Sequence, residues 1–273
     1  MARNKLTVII PCKNERLNIR PCIESVRAIA DELLVADSGS IDGTLEIVKE
    51  IGGCRIIERE YVHSGDFKNW ALPQATHDWV LILDADERVT DSLAQEIRQT
   101  LRAPSADGFW VFRANYFMGH RIRFSGWQSD KVLRLFRRDR GVYMGESDHA
   151  EVEISSGRIG RLNHRLRHFT YWSYDQYFKK IHRYTTFQAQ VWHRSGRQPS
   201  ITKLLLTGPF RFLHAYVGRL GFLDGMPGIQ LCLLTGFYSF LKQARLWELH
   251  HARPQPNPEL PLVEENESTK KAA

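Results

Sequence analysis

The chain contains 273 residues, of which 42% are hydrophobic and 25% are charged, as is usual for a globular protein. Its length predicts either one large domain with an appendage or two small domains. The formal net charge of +7 suits an anionic partner, which leaves nucleic acid, a nucleotide phosphate and an anionic membrane open. The four cysteines form no Cys-x-x-Cys pair, so structural thiols are favoured over a zinc site. No uninterrupted apolar run reaches about 18 residues, so a standard transmembrane helix is not expected.

Strand and helix patterns alternate through the N-terminal third of the chain. Four apolar segments have the length and composition of buried strands, at residues 6–11, 32–37, 54–58 and 79–83. The segments between them are helical in pattern, except that residues 63–69 are polar and predict a loop before a short helix around 70–75. Alternating strands and helices indicate βαβ units, with a mostly parallel sheet and helices on both faces.

The pattern changes after residue 86. Thr90 or Asp91 can cap a helix that runs to Leu101. Three strands then follow without helices between them, which predicts a mixed or antiparallel extension of the sheet, at residues 108–118, 132–137 and 150–154. Helical patterns return after these strands, at residues 173–193, 203–219 and 228–249.

Carboxylates follow three of the predicted strands at the point where each strand ends. Glu15 lies beyond the first strand, and Asp37 ends the second with Asp42 close behind it. The strand at 79–83 ends in Asp84 and Asp86. Because the ends of parallel strands lie on one edge of the sheet, where open α/β sheets bind ligands, these side chains are expected in one cleft.

Asp84 and Asp86 point the same way if the strand geometry continues, and they then repel each other unless a cation lies between them. A hard divalent cation bound between the two carboxylates would remove that repulsion, with substrate phosphates completing its coordination shell. An acidic turn after a core strand is the alternative interpretation of the same residues.

Four segments together resemble the family 2 glycosyltransferases, which have the GT-A fold. They occur in the family's order and spacing, at residues 8–15, 35–44, 68–72 and 83–87. Two later segments, 130–137 and 149–152, are similar to a branch that includes the glucosyltransferases of lipopolysaccharide core synthesis. In that branch a glutamate usually follows the histidine directly, whereas here Ala150 separates His149 from Glu151.

The resemblance implies an α/β fold of the GT-A type, Rossmann-like. The composition of the later residues, described below, adds a C-terminal helical region that is expected to associate with a membrane. The expected divisions are a GT-A domain, C-terminal amphipathic helices and a disordered tail, at residues 1–170, 171–252 and 253–273. The resemblance also implies an inverting transferase that moves a hexose from a nucleotide sugar, expected to be a UDP-sugar, to a lipid-linked or envelope glycan acceptor such as lipopolysaccharide.

The resemblance assigns roles to individual residues. It implies that the nucleotide is bound by Pro11, Asn14, Glu15, Asp37, Lys68 and Asp84. Asp84 and Asp86 are expected to hold Mg²⁺ or Mn²⁺ on the diphosphate. A base must deprotonate the acceptor hydroxyl, and the candidates are Asp130, Glu146, Asp148, His149 and Glu151, with Glu151 or Asp148 favoured.

Residues 176–223 contain no Asp or Glu but eight Lys and Arg, interleaved with apolar and aromatic side chains. This composition is typical of helices that lie in the headgroup plane of an anionic membrane. A solvated basic face on a core-packed helix is the alternative for 173–193. From Leu204 the sequence is too apolar for a free surface and too broken to span, which predicts shallowly inserted helices around 221–228. We therefore expect a peripheral or monotopic protein on the cytoplasmic face of the inner membrane.

Three other functions are weighed against a glycosyltransferase. Nucleic-acid binding is not expected, because no nucleic-acid motif accompanies the charge. A nucleotidyltransferase usually has a glycine-rich basic loop after its first strand, and residues 12–15 contain no glycine. A non-catalytic membrane-binding protein on the same fold has no need of Asp84 and Asp86, and both are present.

Overall fold

A computed structural model describes residues 3–145 and 150–252 of the chain. The strands within them are β1 Leu6–Cys12, β2 Glu32–Asp37, β3 Cys54–Glu58, β4 Trp79–Ile82, β5 Glu87–Arg88, β6 Gly108–Phe117, β7 His120–Arg121, β8 Lys131–Arg137, β9 Gly141–Met144, β10 Glu151–Ile154 and β11 Ile159–Tyr171. The α-helices are α1 Ile19–Val26, α2 Thr44–Ile51, α3 Ser64–Ala71, α4 Asp91–Thr100, α5 Tyr174–Arg194, α6 Ile201–Leu213 and α7 Gly225–His251. Shorter helical turns lie at Leu72–Gln74, His214–Gly218 and Gly221–Asp224.

One nine-stranded sheet organises the N-terminal part of the chain, in the order β3-β2-β1-β4-β8-β6-β11-β5, with β7 pairing to β6. Strands β3, β2, β1 and β4 are parallel, as the alternation of strands and helices predicts. Beyond β4 the sheet is mixed, because β8 is antiparallel to both of its neighbours whereas β11 is parallel to β6. The expected mixed extension is therefore confirmed for β6 and β8. The segment at 150–154 was expected to extend the sheet, but it forms a separate hairpin with β9.

The central strands are buried on both faces, which explains their nearly continuous apolar sequences. Alternate residues of β1 enter two different cores, with Val8 in one and Ile9 in the other. On the first face α1 packs with its four buried apolar residues. On the second face Phe67 of α3 packs with Tyr143 of β9. The β-hairpin and α3 thus cover the face that does not carry α1.

Helix α3 begins earlier than the polar sequence predicts. The expected loop at 63–69 is helical from Ser64, because the His63 side chain caps the helix by accepting a hydrogen bond from the backbone N–H of Asp66 at 3.2 Å. Phe67, Lys68 and Ala71 share the buried face of this helix. The sequence did not predict this part of the helix, because two of its buried residues are a glycine and a lysine rather than large apolar residues.

The described chain divides into two compact units. The first runs to Tyr177 and includes Leu213–Leu233, and the second comprises Phe178–Phe212 and the residues from Leu234 onward. The boundary expected at residue 170 stays a prediction, as does the tail at 253–273, which lies outside the described residues. Within the described chain no single helix meets the length and hydropathy needed to cross a membrane. Ile201–Gly218 and Gly221–His251 meet them as a pair, with a bend of 73° at the break.

Candidate active site

Asn14 and Glu15 lie at the end of β1, where the sequence predicts the nucleotide. Both line a cavity of about 440 Å³, together with Arg16, Leu17, Asn18, Asp42 and Gln176. The Asn14 side chain accepts a hydrogen bond from the Ile41 N–H at 2.9 Å, which ties the loop after β1 to the loop after β2. Pro11 precedes this loop inside β1, where it pairs with Ala36 of β2.

Asp37 is fully buried at the end of β2, and its carboxylate holds the loop that follows. One oxygen accepts hydrogen bonds from the N–H groups of Gly39 at 2.9 Å and Ser40 at 2.8 Å. The other accepts from the Ser40 hydroxyl at 2.5 Å and the Cys12 thiol at 3.4 Å. The observed role of Asp37 is therefore to brace the loop, and its predicted contact with the nucleotide base stays a prediction.

Asp84 lies in a buried cluster of charges rather than in an open acidic pair. Its carboxylate contacts Arg134 of β8, the Lys68 ammonium of α3 at 3.0 Å and Arg113 of β6 at 3.7 Å. Glu87, which is fully buried, accepts hydrogen bonds from both guanidinium groups at 2.8 Å. The strand order causes this arrangement, because β8 and β6 follow β4 in the sheet and direct their arginines at its end.

The charged side chains in this cluster shift one another's pKa values. Burial alone would raise the pKa of Asp84, but Arg134, Lys68 and Arg113 hold that pKa well below its usual range. Burial lowers the pKa of Lys68, and the Asp84 carboxylate opposes that change. These contacts therefore favour the ionised carboxylate of Asp84.

Asp86 has a different environment, although only one residue separates it from Asp84. Its Oδ2 lies 3.5 Å from Nε2 of His168, which is on β11. Nδ1 of the same imidazole lies 2.6 Å from the Oδ1 atom of Asn115, the residue opposite it on β6. His168 and Asn115 line a cavity of about 330 Å³ with Gly126, Trp127, Ser129, Asp130 and Thr170.

The metal prediction can be tested against these surroundings. A cation on Asp84 would face the Lys68 ammonium and the Arg134 guanidinium, so Asp84 is a poor ligand in this arrangement. Asp86 and His168 fit better, because a carboxylate oxygen is a usual ligand of Mg²⁺ and Mn²⁺ and an imidazole nitrogen is a usual ligand of divalent transition metals. Among the described residues no cluster of three or more His, Cys, Asp or Glu side chains has the geometry of a metal site. Two protein ligands with diphosphate and water would complete such a shell.

A third cavity, of about 300 Å³, lies beside the charge cluster. Its wall includes Lys68, Asp84, Trp110, Arg113, Asp130, Arg134, Tyr143 and Glu151. Glu151 is exposed at the start of β10. Asp130 instead accepts a hydrogen bond from Asn115 at 2.9 Å and lies 3.6 Å from Arg113. The structure thus brings two of the predicted bases to one cavity, and the others, Glu146, Asp148 and His149, lie outside the described residues.

Four residues of this site were missed by the sequence analysis, namely Arg113, Asn115, Arg134 and His168. Arg134 lies inside one of the resembling segments, and its position beside Asp84 depends on the antiparallel pairing of β8 with β4. His168 was missed because the whole of β11 was missed. The sequence of β11 is basic, and within the strand only Leu162 and Leu166 are buried. Two buried residues do not make the alternating apolar pattern by which a strand is predicted.

Residues 7–184 match the sequence profile of the family described as "Glycosyl transferase family 2". The chain therefore belongs to family 2 of the glycosyltransferases, and it is an enzyme of that class. The family match and the observed sheet confirm the predicted α/β fold of the GT-A type. They also decide for a glycosyltransferase against the nucleotidyltransferase considered above.

Two relatives match nearly the whole chain. The lipopolysaccharide core biosynthesis glycosyltransferase LpsC of Rhizobium meliloti is 29% identical over 258 residues, covering 92% of this chain and 95% of that protein. An uncharacterized glycosyltransferase of Rickettsia typhi is 27% identical over 260 residues, covering 90% of this chain and 87% of that protein. The similarity therefore extends beyond the sheet into the C-terminal helices.

Among solved structures, the chain is similar to glucosyl-3-phosphoglycerate synthase from Mycobacterium tuberculosis, in a complex with Mn²⁺, UDP and glucosyl-3-phosphoglycerate. The identity is 25%, the TM-score is 0.35, and the match covers 41% of this chain and 44% of that chain. The chain thus spans less than half the length of that structure, and a TM-score this low carries no conclusion about mechanism.

Proposed function

We propose that this glycosyltransferase moves a hexose from a UDP-sugar, with inversion and with the help of Mg²⁺ or Mn²⁺, to a lipid-linked or lipopolysaccharide core acceptor. The observation that carries the proposal is the convergence of three features on one edge of the sheet. These are the polar cavity at Asn14 and Glu15, the Asp86–His168 pair, and the cation-lined cavity that contains Glu151.

The three features correspond to three needs of the reaction. The cavity at Asn14 and Glu15 would receive the nucleoside, and Asp86 with His168 would hold the cation. A divalent cation supplies charge neutralisation on the departing diphosphate. Lys68 and Arg134 lie in the adjoining wall, each paired with Asp84, and they are cations there that would meet an anionic donor.

Glu151 is the base that the observed contacts favour. A general base must reach the acceptor hydroxyl, and Glu151 is exposed at the cavity wall. The Asp130 carboxylate is already engaged by Asn115 and Arg113. Glu151→Gln is expected to lower kcat by about 10²–10⁴-fold while UDP affinity is kept. A kcat close to that of the wild type would assign the base elsewhere.

A screen of donor hydrolysis across nucleotide sugars, with and without Mn²⁺, tests the donor and the metal together. We expect one UDP-sugar to be consumed faster than the others, and EDTA to abolish the reaction. Asp86→Asn is expected to remove the metal response, with Asp91→Asn, a carboxylate in the first turn of α4, as the matched control. Full activity of wild-type enzyme in excess EDTA would contradict the metal-dependent reaction.

The acceptor and the location rest on the C-terminal helices. Ile201, Leu205 and Leu206 of α6 are each more than half exposed, and the exposed cations Lys203 and Arg211 lie on the same helix. Large exposed apolar patches with basic neighbours suit an anionic membrane surface. The relation to LpsC supports a lipopolysaccharide core acceptor. The cytoplasmic face of the inner membrane is proposed from the exposed apolar and basic residues of these helices alone.

Flotation with vesicles that contain anionic lipid tests this location. The wild type is expected to float with the vesicles at low salt, and the double variant Leu205→Ser/Leu206→Ser is expected to float less. Leu17→Ser is the matched control, because Leu17 is 77% exposed on the loop after β1. If the wild type stays in the soluble fraction at low salt, the acceptor need not be a membrane lipid.

A further inference from the structure

Asn115 and His168 face each other across two neighbouring strands. They are register partners in the parallel pair of β6 and β11, and Asn115 is almost fully buried. Nδ1 of His168 lies 2.6 Å from Oδ1 of Asn115, and the Thr170 hydroxyl lies 3.3 Å from the same nitrogen. The imidazole is therefore held on its Nδ1 side, while its Nε2 side faces Asp86.

The orientation of the Asn115 amide follows from its other neighbours. Its Nδ2 group donates to the Asp130 carboxylate at 2.9 Å and to the Trp127 carbonyl at 3.4 Å. Both of these partners can only accept hydrogen bonds. The amide nitrogen must therefore point towards Asp130, and the amide oxygen must point towards His168.

This orientation fixes the tautomer of His168. The Asn115 oxygen can only accept, so the neutral imidazole carries its proton on Nδ1 and presents the lone pair of Nε2. That lone pair faces the Asp86 carboxylate at 3.5 Å. A divalent cation held by the Asp86 carboxylate could therefore also take the Nε2 lone pair of His168 as a ligand.

We propose that Asn115, oriented by Asp130, is a positioning residue that holds His168 in the Nδ1–H tautomer and keeps Nε2 available to a divalent cation. Asp130 thereby acts through Asn115 rather than as the base that deprotonates the acceptor. The inference rests on the metal use in the proposed function. Partners of this kind fix the tautomer and the ring orientation of metal-binding histidines.

The tautomer can be measured without any metal. Nitrogen-15 NMR of histidine-labelled protein at pH 8 distinguishes protonated from bare ring nitrogens, and His168→Gln assigns the His168 signals. We expect the Nδ1–H tautomer in the wild type and in Asn115→Asp, whose carboxylate still accepts from Nδ1. We expect a mixture in Asn115→Leu. If the wild type has the proton on Nε2, or if Asn115→Leu leaves the tautomer unchanged, the proposal is overturned.

Mn²⁺ affinity, measured by electron paramagnetic resonance in the presence of UDP, gives the second readout. Asn115→Leu is expected to weaken Mn²⁺ binding by about 10–100-fold, the usual effect of losing such a partner. Asn163→Leu is the matched control, because Asn163 is an exposed asparagine on β11 whose side chain bonds to Glu96. Asn115→Asp should bind Mn²⁺ more tightly than Asn115→Leu, which a purely structural role of Asn115 would not produce.

The two proposals fail in different ways. If the wild type binds Mn²⁺ saturably and Asn115→Leu binds it equally well, only the positioning role is overturned. If the wild type shows no saturable Mn²⁺ binding and retains transfer in EDTA, the metal-dependent function is overturned, and the positioning role with it.

Discussion

The two compact units differ in which side chains they bury and which they expose. The sheet unit buries ionised groups, since Glu87 and Arg134 are almost inaccessible to solvent. The helical unit exposes apolar ones, since Leu205 and Leu206 of α6 are each more than 60% exposed. Both arrangements cost free energy in water, so each indicates a function that outweighs stability. The buried charges line the cavity proposed to receive the donor, and the exposed side chains lie on the helix proposed to contact a membrane.

The largest expected effect concerns the buried charges. Arg134→Met removes a guanidinium that contacts both Asp84 and Glu87, and it leaves those carboxylates undercompensated. We expect a loss of about 3–5 kcal/mol in the free energy of unfolding, measured by urea denaturation. Arg55→Met is the matched control, because Arg55 pairs with Glu32 at a site where its own side chain is 43% exposed, and it should cost less than about 1 kcal/mol. Equal losses in the two variants would remove the distinction between buried and exposed charge.

The loop brace at Asp37 should have the next largest effect. Asp37→Ala leaves the N–H groups of Gly39 and Ser40 without their acceptor, at a cost of about 1–3 kcal/mol of stability. Asp139→Ala, which removes an exposed carboxylate, is the control and should change stability little. Unchanged stability of Asp37→Ala with weaker UDP binding in calorimetry would instead support direct recognition of the base.

The helical unit has a tight contact of its own. A Cβ atom on Gly236 would lie 2.8 Å from the backbone oxygen of Gly208, so the backbones of α6 and α7 are in close contact at these glycines. Gly236→Ala is expected to lower the free energy of unfolding by about 1–3 kcal/mol, as overpacking does. At Gly218 the added Cβ would make an ordinary contact of 3.5 Å with His214, so Gly218→Ala is the control. If both alanine variants are equally stable, the helices can separate without cost.

The smallest effect concerns the basic residues of α6. Replacing Lys203 or Arg211 by Ala should weaken binding to anionic vesicles by about 1 kcal/mol for each residue at low salt. The difference should disappear at high salt, because exposed charges are screened. An effect that persists at high salt would show that these side chains act by packing rather than by attraction to headgroups.

Much of the fold follows from the sequence, since β1, β2 and β4 are continuous apolar runs and α1 has a clear helical period. The strands beyond α4 are harder to predict, because their apolar residues are fewer and their partners are distant in sequence. β11 is the clearest case, since its thirteen residues include five histidines and arginines and only a few buried side chains. Its place in the sheet depends on pairing with β6, about 50 residues earlier, which no local pattern encodes.

The residues of the candidate site also divide into those that the sequence predicts and those that it does not. Glu15, Asp84 and Asp86 follow strands that the sequence predicts, so their approach to one edge could be anticipated. The contrast between Asp84 and Asp86 could not, because it depends on which neighbours the later strands supply. Arg134 arrives on β8 and His168 on β11, and these neighbours turn two similar carboxylates into an ion-pair partner and a metal-ligand candidate.

The pairing of β5 with β11 also has a consequence for synthesis of the protein. Residues Glu87–Arg88, directly after the acidic motif, join the sheet through β11, where His168 lies opposite Glu87. A ribosome that adds about 5–20 residues per second needs roughly 4–16 s to pass from Asp86 to His168, a separation of 168 − 86 = 82 residues. Throughout that interval the nascent chain carries the acidic motif without its histidine. A partly made enzyme therefore lacks a complete site until β11 has left the ribosome and paired.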